Sequence, residues 1–295
     1  MFDFLKYRYI CLLISITVIF SIFGVFLYRI KTTGQAFNYS VEFQGGTQIL
    51  LKFQKPVKPS EILSVLEANG FEGASTREFS ADEVMIRVKE YVGEVDVLAN
   101  KILGYIRADL PDNPVDILSS DAIGPGIGSE LRWKSIRAVL IALLLMLLYI
   151  AFRFWSFAFA LGSVAALFHD AIMMLGLFLL FNREISVSVI GAILAVLGYS
   201  INDTIVIFSR IRGNMKIMSG APIAEIVNTS LNQTLKRTLL TSFSTLLTVG
   251  AMFFLGGEAL RDFSLALLVG IFFGTYSSIY IASPIMVMLY RKKEQ

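Results

Sequence analysis

Cysteine and histidine are almost missing from this chain. The single cysteine, Cys11, sits in an apolar run, which excludes an intrachain disulfide and leaves the redox compartment unread. With the single histidine, His169, it cannot furnish a zinc site of the usual Cys/His composition, so no metal centre is expected. No His-Glu-x-x-His or Gly-x-Gly-Asp element is present and the cysteine lacks a plausible base; the expectation is a protein that is not an enzyme. Charge is scarce as well. Charged residues make up 17% of the chain against 55% hydrophobic residues, and the mean hydropathy of +0.68 excludes a soluble domain with a polar surface. A formal charge of +3 gives no footing for a nucleic-acid partner.

What is abundant is long apolar sequence. Six segments approach the roughly 20 residues a helix needs to span a bilayer: Tyr9 to Tyr28, Ala138 to Phe154, Phe157 to Phe181, Ile185 to Phe208, Thr238 to Leu255 and Phe263 to Tyr290. The first is longer than a signal-peptide core, and its end, Val25-Phe26-Leu27-Tyr28-Arg29, lacks the small residues of a cleavage site, so it reads as an anchor. An N-terminus inside gathers Lys6, Arg8, Arg153, Arg210, Arg212, Lys216, Lys236, Arg291, Lys292 and Lys293 on the cytoplasmic side. The short outer loops then hold Arg183 and Arg261. Both termini are therefore expected in the cytoplasm.

This orientation puts the one large hydrophilic stretch, 32–131, outside. Phe43 to Phe53 alternates around Gly45-Gly46 as a strand, Pro59-Ser60-Glu61 opens a helix that stops at Gly70, and Glu83 to Val92 has strand character. A helix follows from Val95 to Leu110, and a last strand starts at Val115. The order β, α, β, α, β fits a ferredoxin-like sandwich. The expected fold is an α-helical polytopic membrane protein: a tail with span one (1–31), a ferredoxin-like α+β outer domain (32–131) and a five-span remainder (132–295) completing a six-span bundle. Within the last part, 221–233 is too polar to cross, and Ile223, Ile226, Val227 and Leu231 recur at helical spacing. They suggest a helix on the inner membrane surface.

Asp203 falls inside the fourth apolar segment, where an ionised carboxylate costs roughly 2.5–3.5 kcal/mol on insertion scales and usually serves ions or protons. Its natural partner is Arg237, which heads the fifth segment and a row of hydroxyls at Thr241, Ser244 and Thr248, spaced four, three and four residues apart on one helical face. Such hydroxyls either bond to their own helix or line a wet groove. If the acid and the base attract when Asp203 is ionised and part when it is protonated, a proton gradient can drive helix packing. His169 and Asp170 form a second ionisable spot, a relay or a structural pair; Ser200, Asn202, Thr241 and Ser244 are further relay candidates. Gly270 and Gly274 have small-xxx-small spacing, repeated by Gly191, Ala195 and Gly198, and read as helix-packing surfaces. Pro284 is expected to kink span six. Gly124, Pro125 and Gly128 could form a hinge between domain and span two.

Several of these stretches, in order, resemble one family. Gly198-Tyr199-Ser200-Ile201-Asn202-Asp203-Thr204 with Arg210-Ile211-Arg212 resembles the fourth-span signature of the SecD/SecF group of protein-export membrane proteins, within the resistance-nodulation-division superfamily. Phe43-Gln44-Gly45-Gly46-Thr47 resembles its outer-domain entry, Gly124-Pro125-Gly126-Ile127-Gly128-Ser129-Glu130-Leu131 its approach to span two, and Ala166-Leu167-Phe168-His169-Asp170 its third span. Leu231 to Thr238 and Gly274 to Tyr280 complete the set; Glu42, Ser209 and Gly213 depart from the usual Asp, acidic and Glu residues. The resemblance implies a bacterial inner-membrane subunit, closest to the SecF branch, that pairs with SecD in a pseudo-symmetric bundle. It implies work beside the SecYEG channel and often YajC, with the outer domain handling polypeptide in the periplasm. It implies no cofactor beyond a proton or sodium gradient, with Asp203 and Arg237 in the ion-coupling region.

Overall fold

A computed structural model describes residues 2–89 and 95–290, and they form two compact units. The C-terminal Arg291, Lys292 and Lys293, and the end of the strand expected to reach Val92, lie outside the described residues.

The hydrophilic unit is built on six main elements: β1 (Gly46–Phe53), α1 (Pro59–Ala68), β2 (Ser75–Ser80), β3 (Glu83–Val88), α2 (Val95–Asp109) and β4 (Val115–Ile123). The sheet runs β2-β3-β1-β4 with every neighbour antiparallel, the ferredoxin-like order. With β2 added, the expected β, α, β, α, β becomes β, α, β, β, α, β. Ser-Thr-Arg-Glu-Phe-Ser pairs on one side alone and none of its residues is buried, so it carries no apolar alternation to betray it. The strand read from Phe43 begins at Gly46, because 41–44 makes a single helical turn. The core is the alternating face of β1 (Ile49, Leu51, Phe53) and β3 (Val84, Ile86, Val88), closed by Ile62 and Leu66 of α1 and Ile102 and Ile106 of α2. Phe53 is 2% exposed. Phe53→Ala is expected to cost about 3–5 kcal/mol, visible as lost amide protection across the domain in hydrogen exchange.

Gly128 lies in the first turn of the span-two helix, where an added Cβ would come 2.9 Å from the amide nitrogen of Gly45 and 3.0 Å from the carbonyl carbon of Phe43. The segment suggested as a hinge is thus the start of a helix: Gly124 offers its carbonyl to the amides of Ile127 and Gly128, and Pro125 opens the helical residues.

The second unit contains the spans, apart from the first turns of span two. Among the described residues six helices are long and apolar enough to cross a membrane: Leu5–Thr33, Gly126–Phe154, Phe157–Leu180, Val187–Ile217, Ile223–Leu255 and Leu260–Leu289. Spans three, four and six bury 61%, 50% and 50% of their apolar windows, against 6% for spans one and two and 17% for span five. The first three make the centre, and the others leave large apolar faces free. The polar stretch at 221–233 is not a separate surface helix, as the sequence suggested. It is the beginning of the 33-residue span-five helix, in which no Gly or Pro occurs before Gly250. Ile226, Val227 and Leu231 are buried, and the Asn214 amide of span four donates to Ser230 Oγ at 2.8 Å and Gln233 Oε1 at 2.9 Å.

Span six changes winding at Ser278–Ala282, a π-helical turn ahead of Pro284. Proline withholds an amide from the preceding turn, and the Ser283 hydroxyl supplies a donor to the Ser278 carbonyl at 3.0 Å. Such turns concentrate at functional sites.

Candidate functional site in the membrane bundle

Asp203 is 4% exposed, between spans four and five, and its Oδ2 has no hydrogen-bond partner among the described residues. Ser242 and Arg237, both of span five, act on its carboxylate. Arg237 does so without contact: among the described residues the two are not joined by an ion pair within 4.0 Å. The direct pairing expected from sequence is absent in this conformation. The guanidinium instead lines a cleft of about 340 Å³ with Val206, Ser209, Arg210, Gly213, Gln233 and Thr234.

The hydroxyl row also lies elsewhere. Thr241, Ser244 and Thr248 are exposed, and the Thr241 and Thr248 hydroxyls donate to carbonyls one turn back, at Arg237 (3.0 Å) and Ser244 (3.2 Å). The inward face of span five is Thr234, Thr238 and Ser242, all buried. Ser242 bonds to Thr275 of span six at 2.7 Å, and Tyr199 of span four lies 3.5 Å from it. Thr238 Oγ1, one turn from Ser242, is buried without a partner, like Asp203 Oδ2. Thr238, Ser242, Thr275 and Tyr199 were missed by the sequence reading. The signal for Thr238 and Ser242 is a second row at 234, 238, 242 and 245, as regular as the first.

Ser200 belongs to another group. Its hydroxyl donates to Asp170 Oδ2 at 2.6 Å, beside Ser277 at 2.9 Å, while His169 Nδ1 stands 3.1 Å from Oδ1. Asn202 is exposed. Gly270 and Gly274 sit at close approaches: an added Cβ would lie 2.5 Å from the Val196 methyls at the first and 3.0 Å from Ser200 Cβ at the second. Gly191, Ala195 and Gly198 do not pack against this chain; all three are exposed, and the two glycines meet nothing within 4 Å. Together with Asn202 of the same span and the row at 237, 241, 244 and 248 of span five, they leave small and polar residues uncovered in apolar helices.

Comparison with known proteins fits this arrangement. Residues 108–292 match the family described as "Protein export membrane protein SecD/SecF, C-terminal", and residues 33–57 match the SecD/SecF GG motif. The protein translocase subunit SecF of Vibrio alginolyticus is 40% identical over 284 residues, covering 95% of this chain and 89% of the relative. The subunit SecDF of Thermus thermophilus is 42% identical over 255 residues, 86% of this chain but 34% of the relative, so the chain spans about a third of that protein. The crystal structure of SecDF from the same organism superposes with a TM-score of 0.85 at 38% identity, over 97% of this chain and 38% of that one. SecDF in a super-membrane-facing form gives 0.68 at the same identity and coverage. By motifs, fold and end-to-end similarity, the chain belongs to the SecD/SecF family of protein-export membrane proteins.

Proposed function

We propose that this chain is a SecF-type subunit of the Sec protein translocase, which uses the proton motive force together with SecD to promote the late stage of polypeptide translocation across the bacterial inner membrane. The observation that carries this reading is Asp203: a carboxylate buried among spans, one oxygen unpartnered among the described residues, with the Arg237 guanidinium on a cleft wall rather than in contact. A proton taken from that cleft neutralises the carboxylate and removes its attraction for Arg237; its loss restores the attraction. Each change alters how spans four and five pack. His169 and Asp170 stand apart from this step. The charge asymmetry of the loops supports termini in the cytoplasm and a periplasmic outer domain, where it meets emerging polypeptide beside SecYEG and YajC.

SecD is the partner that fits the uncovered faces. Polar groups turned to lipid are costly, and small residues let a second helix come close. In a Cys11→Ala background, Ser244→Cys is expected to cross-link to SecD, while Ser242→Cys, on the buried side, does not. Equal cross-linking at both positions would exclude this face as the contact.

A further inference from the structure

The carboxylate of Asp170 is fully buried (0% exposed) at the meeting of spans three, four and six. Two hydroxyls from two other spans, Ser200 and Ser277, donate to Oδ2, and His169 faces Oδ1. Those contacts satisfy its oxygens as an anion and leave its charge. Among the described residues the one basic group paired with it is His169, itself 3% exposed. An isolated charge in hydrocarbon is expensive, and an ion pair in contact offsets much of that cost.

The surroundings of His169 are aromatic. Its ring lies 6.1 Å from Phe273 and 5.9 Å from Tyr276, at 68° and 33°. Among the described residues the buried Nε2 has no hydrogen-bond partner, so its lone pair is an open proton acceptor. Tyr276 closes the side toward span one: its hydroxyl donates to the Cys11 carbonyl at 3.0 Å and accepts from Ser15 Oγ at 3.0 Å. These spans carry other titratable groups: Tyr280 of span six, Tyr7, Tyr9, Cys11 and Tyr28 of span one, Tyr199 and Asp203 of span four, and Lys, Arg and Asp residues toward the helix ends. No hydrogen bond among the described residues joins the Asp170 group to the Ser242, Thr275 and Tyr199 hydroxyls around Asp203.

We propose that His169 and Asp170 form a second proton-binding site, independent of Asp203, which holds one proton as an imidazolium–carboxylate pair behind the Tyr276 seal. On loading, hydronium gives its proton to the Nε2 lone pair and leaves as water; on unloading, water takes it back. Release requires span six to move, because Phe273, Tyr276 and Ser277 all belong to it. Exchange is therefore tied to the packing of the π-turn against spans one, three and four.

One histidine in the chain makes the test direct. The full-length protein, assembled with SecD in lipid and labelled with 15N-histidine, gives one imidazole to follow. At neutral pH both ring nitrogens are expected to carry protons. Asp170→Asn loses one of the two ring-proton signals, Tyr276→Phe keeps both with faster exchange of the Nε2 proton, and Asp203→Asn leaves the spectrum unchanged. A neutral imidazole in the unsubstituted protein overturns the proposal whatever the variants do, and so does an imidazolium that persists in a folded Asp170→Asn variant. Because Asp203→Asn is read separately by export, failure here leaves the reading of Asp203 standing.

Discussion

Asp203→Asn is expected to yield a protein that inserts, assembles with SecD and supports no more export than cells without this subunit. The amide has nearly the shape of the protonated acid, so packing between spans four and five survives. What disappears is the change of charge. Arg237 then meets a permanently neutral neighbour, and no ion gradient can alternate the two arrangements. A fall of at least about tenfold is expected, since removing about 1.4 kcal/mol of driving energy already costs that factor. Arg237→Lys, which keeps a charge but gives up the planar guanidinium, should retain part of the activity. Export assayed in cells depleted of the native subunit measures both.

Gly270→Leu is expected to dismantle the centre of the bundle. A Cβ at this position would stand 2.5 Å from both γ-carbons of Val196 and 2.9 Å from Met174 Sδ, and a leucine adds three more carbons to the same space. Spans three and four would have to separate from span six, which carries Ser277 and Thr275 into both hydroxyl groups. Overpacking of a filled core costs about 1–3 kcal/mol for modest additions, and a leucine here exceeds that range. The result should be low steady-state abundance and a lowered melting temperature in detergent. Gly191→Leu, on an exposed face of this chain, should leave the melting of the isolated subunit unchanged.

The contrast between those two glycines shows how far the sequence could be read. Small-xxx-small spacing says that some helix approaches closely and leaves open which one. Gly270 and Gly274 meet this chain's own spans, whereas Gly191, Ala195 and Gly198 turn outward. Hydroxyls on span five raise the same problem of phase. Rows at 237, 241, 244, 248 and at 234, 238, 242, 245 have equal periodicity, and starting from the charged residue selected the outward one. Burial decides between them, and burial is set by which face meets spans four and six, information that resides in other segments. Long apolar runs were legible because length and composition alone define a span. The polar strand β2 was not, because an edge strand with no buried residue has no pattern to display. Asp203 was found for a simpler reason: a carboxylate in such a segment is costly wherever it points.

Dissipating the proton gradient after the ATP-driven stage separates ion-powered export from mere assembly. In inner-membrane vesicles holding a polypeptide arrested part-way, addition of an uncoupler is expected to stop further movement with the unsubstituted subunit and to change nothing with Asp203→Asn, which is already slow. Movement that continues unchanged when the gradient collapses, or an Asp203→Asn subunit that remains as fast and as uncoupler-sensitive as the original, would contradict the assignment of Asp203 as the group through which protons drive export.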